Sequence, residues 1–346
     1  MKAIFNRHDH KHAPDKVHCR GATQAFPERP ERPDRLIEGL SQHGIEIAAP
    51  RDFGMDPILK VHNADYIAFL STAYPEWQAM RERGVSAGEI VEASGFSLRH
   101  RHVRIPDLVS VRADYYLSGG WAPIDEGTFS AAVASAHSAL EAADLVAGGS
   151  GAAYALCRPP GHHAYADLAG GYCYINNAAV AAHWLTDRQL RVSVLDIDAH
   201  HGNGTQGIFY GRGDVQFLSL HADPAQVFPF YCGYIDERGI GAGEGTNLNL
   251  PLALGTGDEE FREALGTALS AIDDFAPDVL VVSLGLDISA ADDTRLLSVS
   301  SDGFTRIGSD IADRKLPTVL VQEGGYGLDH LAGDLSAFMK GFLDAR

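Results

Sequence analysis

Val194-Leu195-Asp196-Ile197-Asp198-Ala199-His200-His201-Gly202-Asn203-Gly204 runs from apolar, β-forming residues straight into carboxylates, imidazoles and a glycine-rich turn. Residues two apart on an extended chain share a face, so Asp196, Asp198 and His200 project together from the end of this strand. A carboxylate and a neutral imidazole placed in this way form half of a site for Zn(II) or a similar ion. Taken alone, the same residues read equally well as a hydrogen-bonded structural cluster.

Working outward, apolar runs at 153–157, 215–220, 279–284 and 318–322, with a short one at 3–5, read as further strands. Helical spacing of apolar residues marks 177–186, 257–275, 302–314 and 328–343 between them, and 32–43, 65–83 and 128–147 in the first half. Strands alternating with helices predict an α/β fold with a central, mostly parallel sheet covered by helices on both faces. At roughly 150 residues per domain the length leaves one or two domains open. No repeat or low-complexity linker divides the chain, so residues 1–346 are read as a single domain. Ligands of open α/β sheets bind beyond the carboxyl ends of the strands, which is where the chemical motifs of this chain fall.

Three more motifs sit at such ends. Val281-Val282-Ser283-Leu284-Gly285-Leu286-Asp287 delivers a carboxylate out of a hydrophobic run, where burial without a partner is costly. Two carboxylates and an imidazole balance a divalent cation and leave a position for water, as in catalytic sites. A helix cap or salt-bridge partner is the plainer reading of Asp287. Cys157-Arg158-Pro159-Pro160-Gly161-His162-His163-Ala164 follows another strand and places two imidazoles side by side. Imidazole both accepts and donates protons near neutral pH, and water activated by a metal ion needs both services. In Glu323-Gly324-Gly325-Tyr326-Gly327 the glycines free the backbone, so that Tyr326 can swing over the site and hold a developing oxyanion. An exposed turn tyrosine is the alternative.

The net charge of −18 argues against nucleic acid and anionic membrane as partners and favours cationic substrates. A solubilising acidic surface accounts for the same figure. No apolar run spans a bilayer, and the N-terminus lacks a signal core, so a cytoplasmic location is expected. Cys19, Cys157, Cys173 and Cys232 show no paired spacing and are expected to be free thiols. Residues 8–34 and 84–112 break the alternation with Pro, Arg, His and Gly, and irregular insertions of that length are usually functional or disordered.

In chain order, segments 158–164, 196–204, 283–287 and 323–327 resemble the motif series of the arginase and deacetylase superfamily. Gly170-Gly171-Tyr172-Cys173-Tyr174-Ile175-Asn176-Asn177 and residues 239–252, read as a loop, are similar to deacetylase segments. The resemblance implies one Zn2+ per subunit on Asp198, His200 and Asp287, with Fe2+ or Co2+ suiting the same set. It also implies His162, His163 and Tyr326 as catalytic residues, and Tyr172 and Phe228 as walls of an acyl tunnel. Asp196 would support His162 and, with Ser219 and Leu220, hold a structural K+ or Na+. Behind His163 stands Asn203, where some histone deacetylases carry Asp; a neutral partner keeps His163 neutral and able to act as general base.

Arginase-like ureohydrolases share the fold but need Asp-x-His-x-Asp and a second ion. Gly202 and Ser289 stand where its carboxylates are expected, so a single metal is favoured. A non-catalytic sensor of acetylated ligands would have no need of the complete set. Within the family, the two irregular segments resemble insertions of the acetylpolyamine amidohydrolases, which close the tunnel and build a homodimer. That likeness implies deacetylation of small cationic amines, such as acetylputrescine or acetylcadaverine, in polyamine metabolism. Acetyl-lysine peptides are the alternative substrate. The acids that would meet a distal ammonium are not plainly kept: Ser110 and His18 match those positions, with Asp15 and Asp107 as neighbouring substitutes.

Overall fold

A computed structural model describes residues 1–7, 11–19, 22–93 and 104–346. The strands in chain order are β1 (Lys2–Ile4), β2 (Lys16–Cys19), β3 (Ala22–Ala25), β4 (Glu46–Ala48), β5 (Ala152–Ala155), β6 (Val192–Asp196), β7 (Val215–Ala222), β8 (Asn247–Leu252), β9 (Val279–Leu284) and β10 (Thr318–Gln322). The helices are α1 (Arg32–Ser41), α2 (Asp56–Leu59), α3 (Ala64–Glu82), α4 (Val109–Tyr116), α5 (Thr128–Ala147), α6 (Asn177–Thr186), α7 (Asn203–Phe209), α8 (Asp258–Phe275), α9 (Ser301–Ala312) and α10 (Leu328–Asp344). Eight strands form one sheet in the order β4-β1-β5-β10-β9-β6-β7-β8, and β2 and β3 form a separate hairpin. Each strand pair in the large sheet is parallel, so the expectation of a mostly parallel sheet is exceeded.

The period of two in each strand sorts side chains between two cores. Val192, Val194, Val279, Val281, Val319 and Val321 face the helices of the first half, α3 to α6. Leu195, Leu280, Val282, Leu284 and Leu320 face α1, α8, α9 and α10. A fully buried Leu side chain contributes roughly 2 kcal/mol, and burial on both faces is what makes these strands nearly continuous apolar runs.

The direction in which successive strands are added to the sheet reverses between β6 and β9. From β6 the chain steps outward to β7 and β8; from β9 it steps the other way to β10. The crevice beyond these two strands is therefore a topological switch point, where such sheets bind ligands. Strands three apart in sequence, β6 and β9, become neighbours here, with Asp196 opposite Ser283.

Three segments differ from expectation. Residues 239–252, read as a loop, end in β8, which pairs with β7 at the sheet edge and carries Pro251 there. Segment 8–34 holds the β2–β3 hairpin and the start of α1; segment 84–112 holds a bridge from Val91 to Ile124 and the start of α4. Residues 8–10, 20–21 and 94–103 of these segments lie outside the described residues. Cys157, Cys173 and Cys232 are free, as expected.

Candidate active site

Strand parity carries Asp196, Asp198 and His200 out of β6 on one face, and β9 brings Asp287 alongside. Ligand atoms of Asp198, His200 and Asp287 all lie within 4.8 Å of one another. His200 Nδ1 donates to Asp287 Oδ2 at 3.0 Å and lies 3.3 Å from Asp198 Oδ1. Backbone amides fix the carboxylates: Gly324 N donates to Asp198 Oδ2 at 2.8 Å and Ala199 N to Asp287 Oδ1 at 3.0 Å. Close approach demands glycine at 324, since a Cβ there would stand 2.5 Å from Asp198 Oδ2 and 2.7 Å from Asp287 Oδ2.

Electrostatics show what this cluster lacks. Burial and the neighbouring charge of Asp198 push the Asp287 carboxyl up to about 7. Two buried carboxylates facing one imidazole are short of positive charge, and a divalent cation supplies it. The residues therefore fit such an ion. His162, Cys173 and Glu323 also converge within 4.8 Å, but their atoms are committed elsewhere. Glu323 accepts from the amides of Gly161 and His162 and from the Ser283 hydroxyl, and burial raises the Cys173 thiol far above its ordinary range.

The paired histidines differ sharply. Burial works against charge on His162, yet Asp198 and Asp196 outweigh it and raise its pKa to about 10. Its Nδ1 donates to Asp196 Oδ2 at 3.0 Å. Burial, together with the charges of His162 and His200, holds His163 well below the usual imidazole range. Its Nδ1 donates to Asn203 Oδ1 at 2.6 Å, which leaves Nε2 as the acceptor. The imidazole lines a narrow cavity of about 80 Å³ together with Trp121, Gly171, Tyr172, His200, Phe228 and Tyr326.

Tyr172 enters that cavity from a turn in which it adopts φ 66°, a left-handed conformation costing a bulky residue roughly 1–2 kcal/mol. Gly171 before it has φ 53°, and a Cβ there would run into the His163 ring. Phe228 meets His163 edge to face at 4.8 Å from the opposite wall. A wider mouth of about 720 Å³ lies outside, with Arg29 and Asp293 among its charged groups.

Tyr326 is buried and its backbone is anchored: Asp292 Oδ2 accepts from its amide at 2.6 Å and from that of Gly327 at 3.0 Å. Trp121, Asp292 and Glu92 were not singled out from the sequence, and no local pattern marks them. The site unites His162, His163, Tyr326, Asp198, His200, Asp287, Asp196, Asn203, Tyr172 and Phe228. Ser219 lies opposite Asp196 on β7, followed by Leu220. Asp15 and Asp107 do not join it; both are largely exposed, beside Lys16 and Arg112, and neither lines the tunnel or its mouth. Ser110 borders a separate hollow, and His18 Nδ1 pairs with Glu92 at 2.8 Å, tying the two irregular segments together.

The histone deacetylase domain model matches residues 26–342. This chain belongs to the histone deacetylase family. An acetylpolyamine amidohydrolase of Burkholderia pseudomallei is 43% identical over 345 residues, covering 99% of this chain and 98% of that protein. One from Mycoplana ramosa is 41% identical over 344 residues, with 99% of each covered. A crystal structure titled as the acetylpolyamine aminohydrolase from Burkholderia pseudomallei superposes with a TM-score of 0.95 at 43% identity, covering 100% of both chains. Family membership and the metal-ligand cluster together make the chain a metal-dependent deacetylase, with the arginase/deacetylase type of α/β fold. Among the described residues no helix is long and apolar enough to cross a membrane.

Proposed function

We propose that this deacetylase removes acetyl groups from small cationic amines, acetylputrescine and acetylcadaverine being the leading candidates, and serves polyamine metabolism. The observation that carries the reading is the convergence of Asp198, His200 and Asp287 at a cavity of about 80 Å³, walled by aromatic rings and too narrow for a bulky acyl amine. The likeness to acetylpolyamine amidohydrolases over the whole chain supports the substrate class. The acidic net charge of −18 favours a cation over an anion.

Asp198, His200 and Asp287 would hold one Zn2+, or Fe2+ or Co2+, per subunit. When bound, such an ion supplies Lewis-acid polarisation of a carbonyl and lowers the pKa of water. His163, kept neutral, accepts a proton at Nε2 as water attacks the acetyl carbonyl, and a proton then passes to the departing amine. His162, whose Nδ1 donates to Asp196 Oδ2, is oriented beside His163 at the reacting centre as the second histidine of the proton transfer. Tyr326 donates its hydroxyl to the oxyanion that forms. Tyr172 and Phe228 sheathe the chain of the amine and exclude water. Asp196, Ser219 and Leu220 would carry a structural K+ or Na+.

The chain would act as one domain over residues 1–346, in the cytoplasm, as a homodimer, without nucleic acid or membrane partners. Val85, Leu108 and Val111 stand exposed on segment 84–112, and a second copy would cover these apolar side chains. Acetate release from acetylputrescine, acetylcadaverine, acetylspermidine and an acetyl-lysine peptide, with and without chelator, tests the reading. Chelator-sensitive turnover highest on the acetyldiamines is expected; faster turnover of the peptide would overturn the substrate class.

A further inference from the structure

The buried end of segment 8–34 has no part in the chemistry above, yet it places a guanidinium against the catalytic turn. Arg32, the first residue of α1, is wholly buried. Its Nε donates to the Gly325 carbonyl at 2.7 Å and one terminal nitrogen to the Glu323 carbonyl at 2.6 Å. The other terminal nitrogen meets Glu28 Oε1 at 2.7 Å, and the guanidinium carbon lies 5.2 Å from the centre of the Tyr326 ring. The turn Glu323-Gly324-Gly325-Tyr326 is thus gripped from both sides. Asp292 accepts from the amides of Tyr326 and Gly327, and Arg32 donates to the carbonyls of Glu323 and Gly325.

Stability does not call for this arrangement. Burying a guanidinium costs several kcal/mol, and apolar residues of similar volume often do as well or better. Glu28 would not be stranded by loss of Arg32, because Arg158 Nε also lies 3.0 Å from Glu28 Oε1. What an apolar residue cannot do is hold two carbonyls in a fixed fork while placing positive charge beside a phenol that must face an oxyanion. We propose that Arg32 is a positioning residue for Tyr326, setting the turn so that the hydroxyl meets the oxyanion. The proposal rests on the reading of Tyr326 as the oxyanion donor.

The test is a double-mutant cycle on the full-length, metal-loaded enzyme with acetylputrescine, with metal content and melting temperature followed in parallel. Tyr326→Phe should lower kcat by about 100-fold. Arg32→Met should lower kcat by roughly 10- to 100-fold with KM within about 3-fold and metal retained, since small misplacements cost that much. Arg32→Lys keeps the charge without the fork and should recover only part of the loss. In the Tyr326→Phe background neither Arg32 change should reduce kcat by more than about 2-fold further, because the group it positions is gone. Undiminished kcat in Arg32→Met overturns the proposal, as do losses that multiply in the double variant, which mark Arg32 as a residue of the fold alone. Full kcat in Tyr326→Phe removes the reading of Tyr326 instead, and Arg32's role with it. If Arg32→Met does not fold, Arg32→Lys carries the same cycle, and wild-type kcat in that variant overturns the proposal.

Discussion

His163 Nδ1 donates to Asn203 Oδ1 across 2.6 Å, a neutral partner, while burial and the charges of His162 and His200 hold the imidazole well below its usual range. Asn203→Asp would put a carboxylate at the same distance and favour the imidazolium. A general base works only when unprotonated, so activity falls as pH drops through its pKa. A higher pKa therefore moves the acidic limb of the kcat/KM profile upward, by about one pH unit or more. An unmoved limb in Asn203→Asp would show that His163 is not the base.

The metal assignment makes a separate demand. Asp198, His200 and Asp287 each contribute one atom to a cluster within 4.8 Å, and removing one charge leaves the other groups imbalanced and the ion weakly held. Asp198→Ala should abolish both metal content and activity, whereas His163→Ala should lose activity and keep the metal. Elemental analysis finding stoichiometric metal in Asp198→Ala would refute the ligand set.

Much of this site was legible because the chemistry sits at strand ends. Asp196, Asp198 and His200 follow from a period of two, and the valines before them announce a strand buried on both faces. Register was not legible: nothing local says that the strand ending near Asp287 lies against the strand ending at Asp196. Residues 247–252 escaped because a glycine-rich run precedes them and Pro251 interrupts them, a combination tolerated at a sheet edge. Arg32 and Asp292 escaped for another reason. They act on the backbone of a turn far away in sequence, and a side chain that binds distant carbonyls or amides leaves no local pattern.

Stability at mild acid should depend on His62. It is buried, its Nε2 accepts from the Asn176 amide at 3.0 Å, and Asn176 in turn caps α6. Burial lowers its pKa to about 4, against the pull of the Ala166 and Tyr165 carbonyls. The folded value lies below the unfolded one, so the unfolded chain takes up the proton first as pH falls. The contribution is complete above about pH 6.5 and is lost progressively towards pH 4. Between pH 7.5 and pH 5 this amounts to about 2 kcal/mol. His62→Gln, whose side-chain oxygen can still accept from Asn176, should weaken the pH dependence of the urea midpoint by that amount. Equal slopes in the two proteins would exclude His62 as the group responsible.

A homodimer would tie the irregular segments to substrate choice. Segments 8–34 and 84–112 meet through His18 and Glu92, and the second keeps Val85, Leu108 and Val111 exposed. Phe26 and Arg29 of the first segment line the mouth outside the tunnel, so a partner seated against these segments would narrow the approach to Tyr172 and Phe228. A slender diamine would pass such an entrance, whereas the backbone flanking an acetyl-lysine would meet the partner. We expect a homodimer in solution. Replacing Leu108 and Val111 together with Glu should then yield a monomer that keeps its metal, loses turnover of acetylputrescine by roughly 10-fold or more through misplacement of the mouth, and loses its discrimination against an acetyl-lysine peptide. Light scattering decides the first part: a mass near that of one chain for the unaltered protein at micromolar concentration would remove the dimer. A monomeric double variant with unchanged preference would keep the dimer but detach it from substrate selection, leaving the narrow aromatic tunnel as the discriminating element.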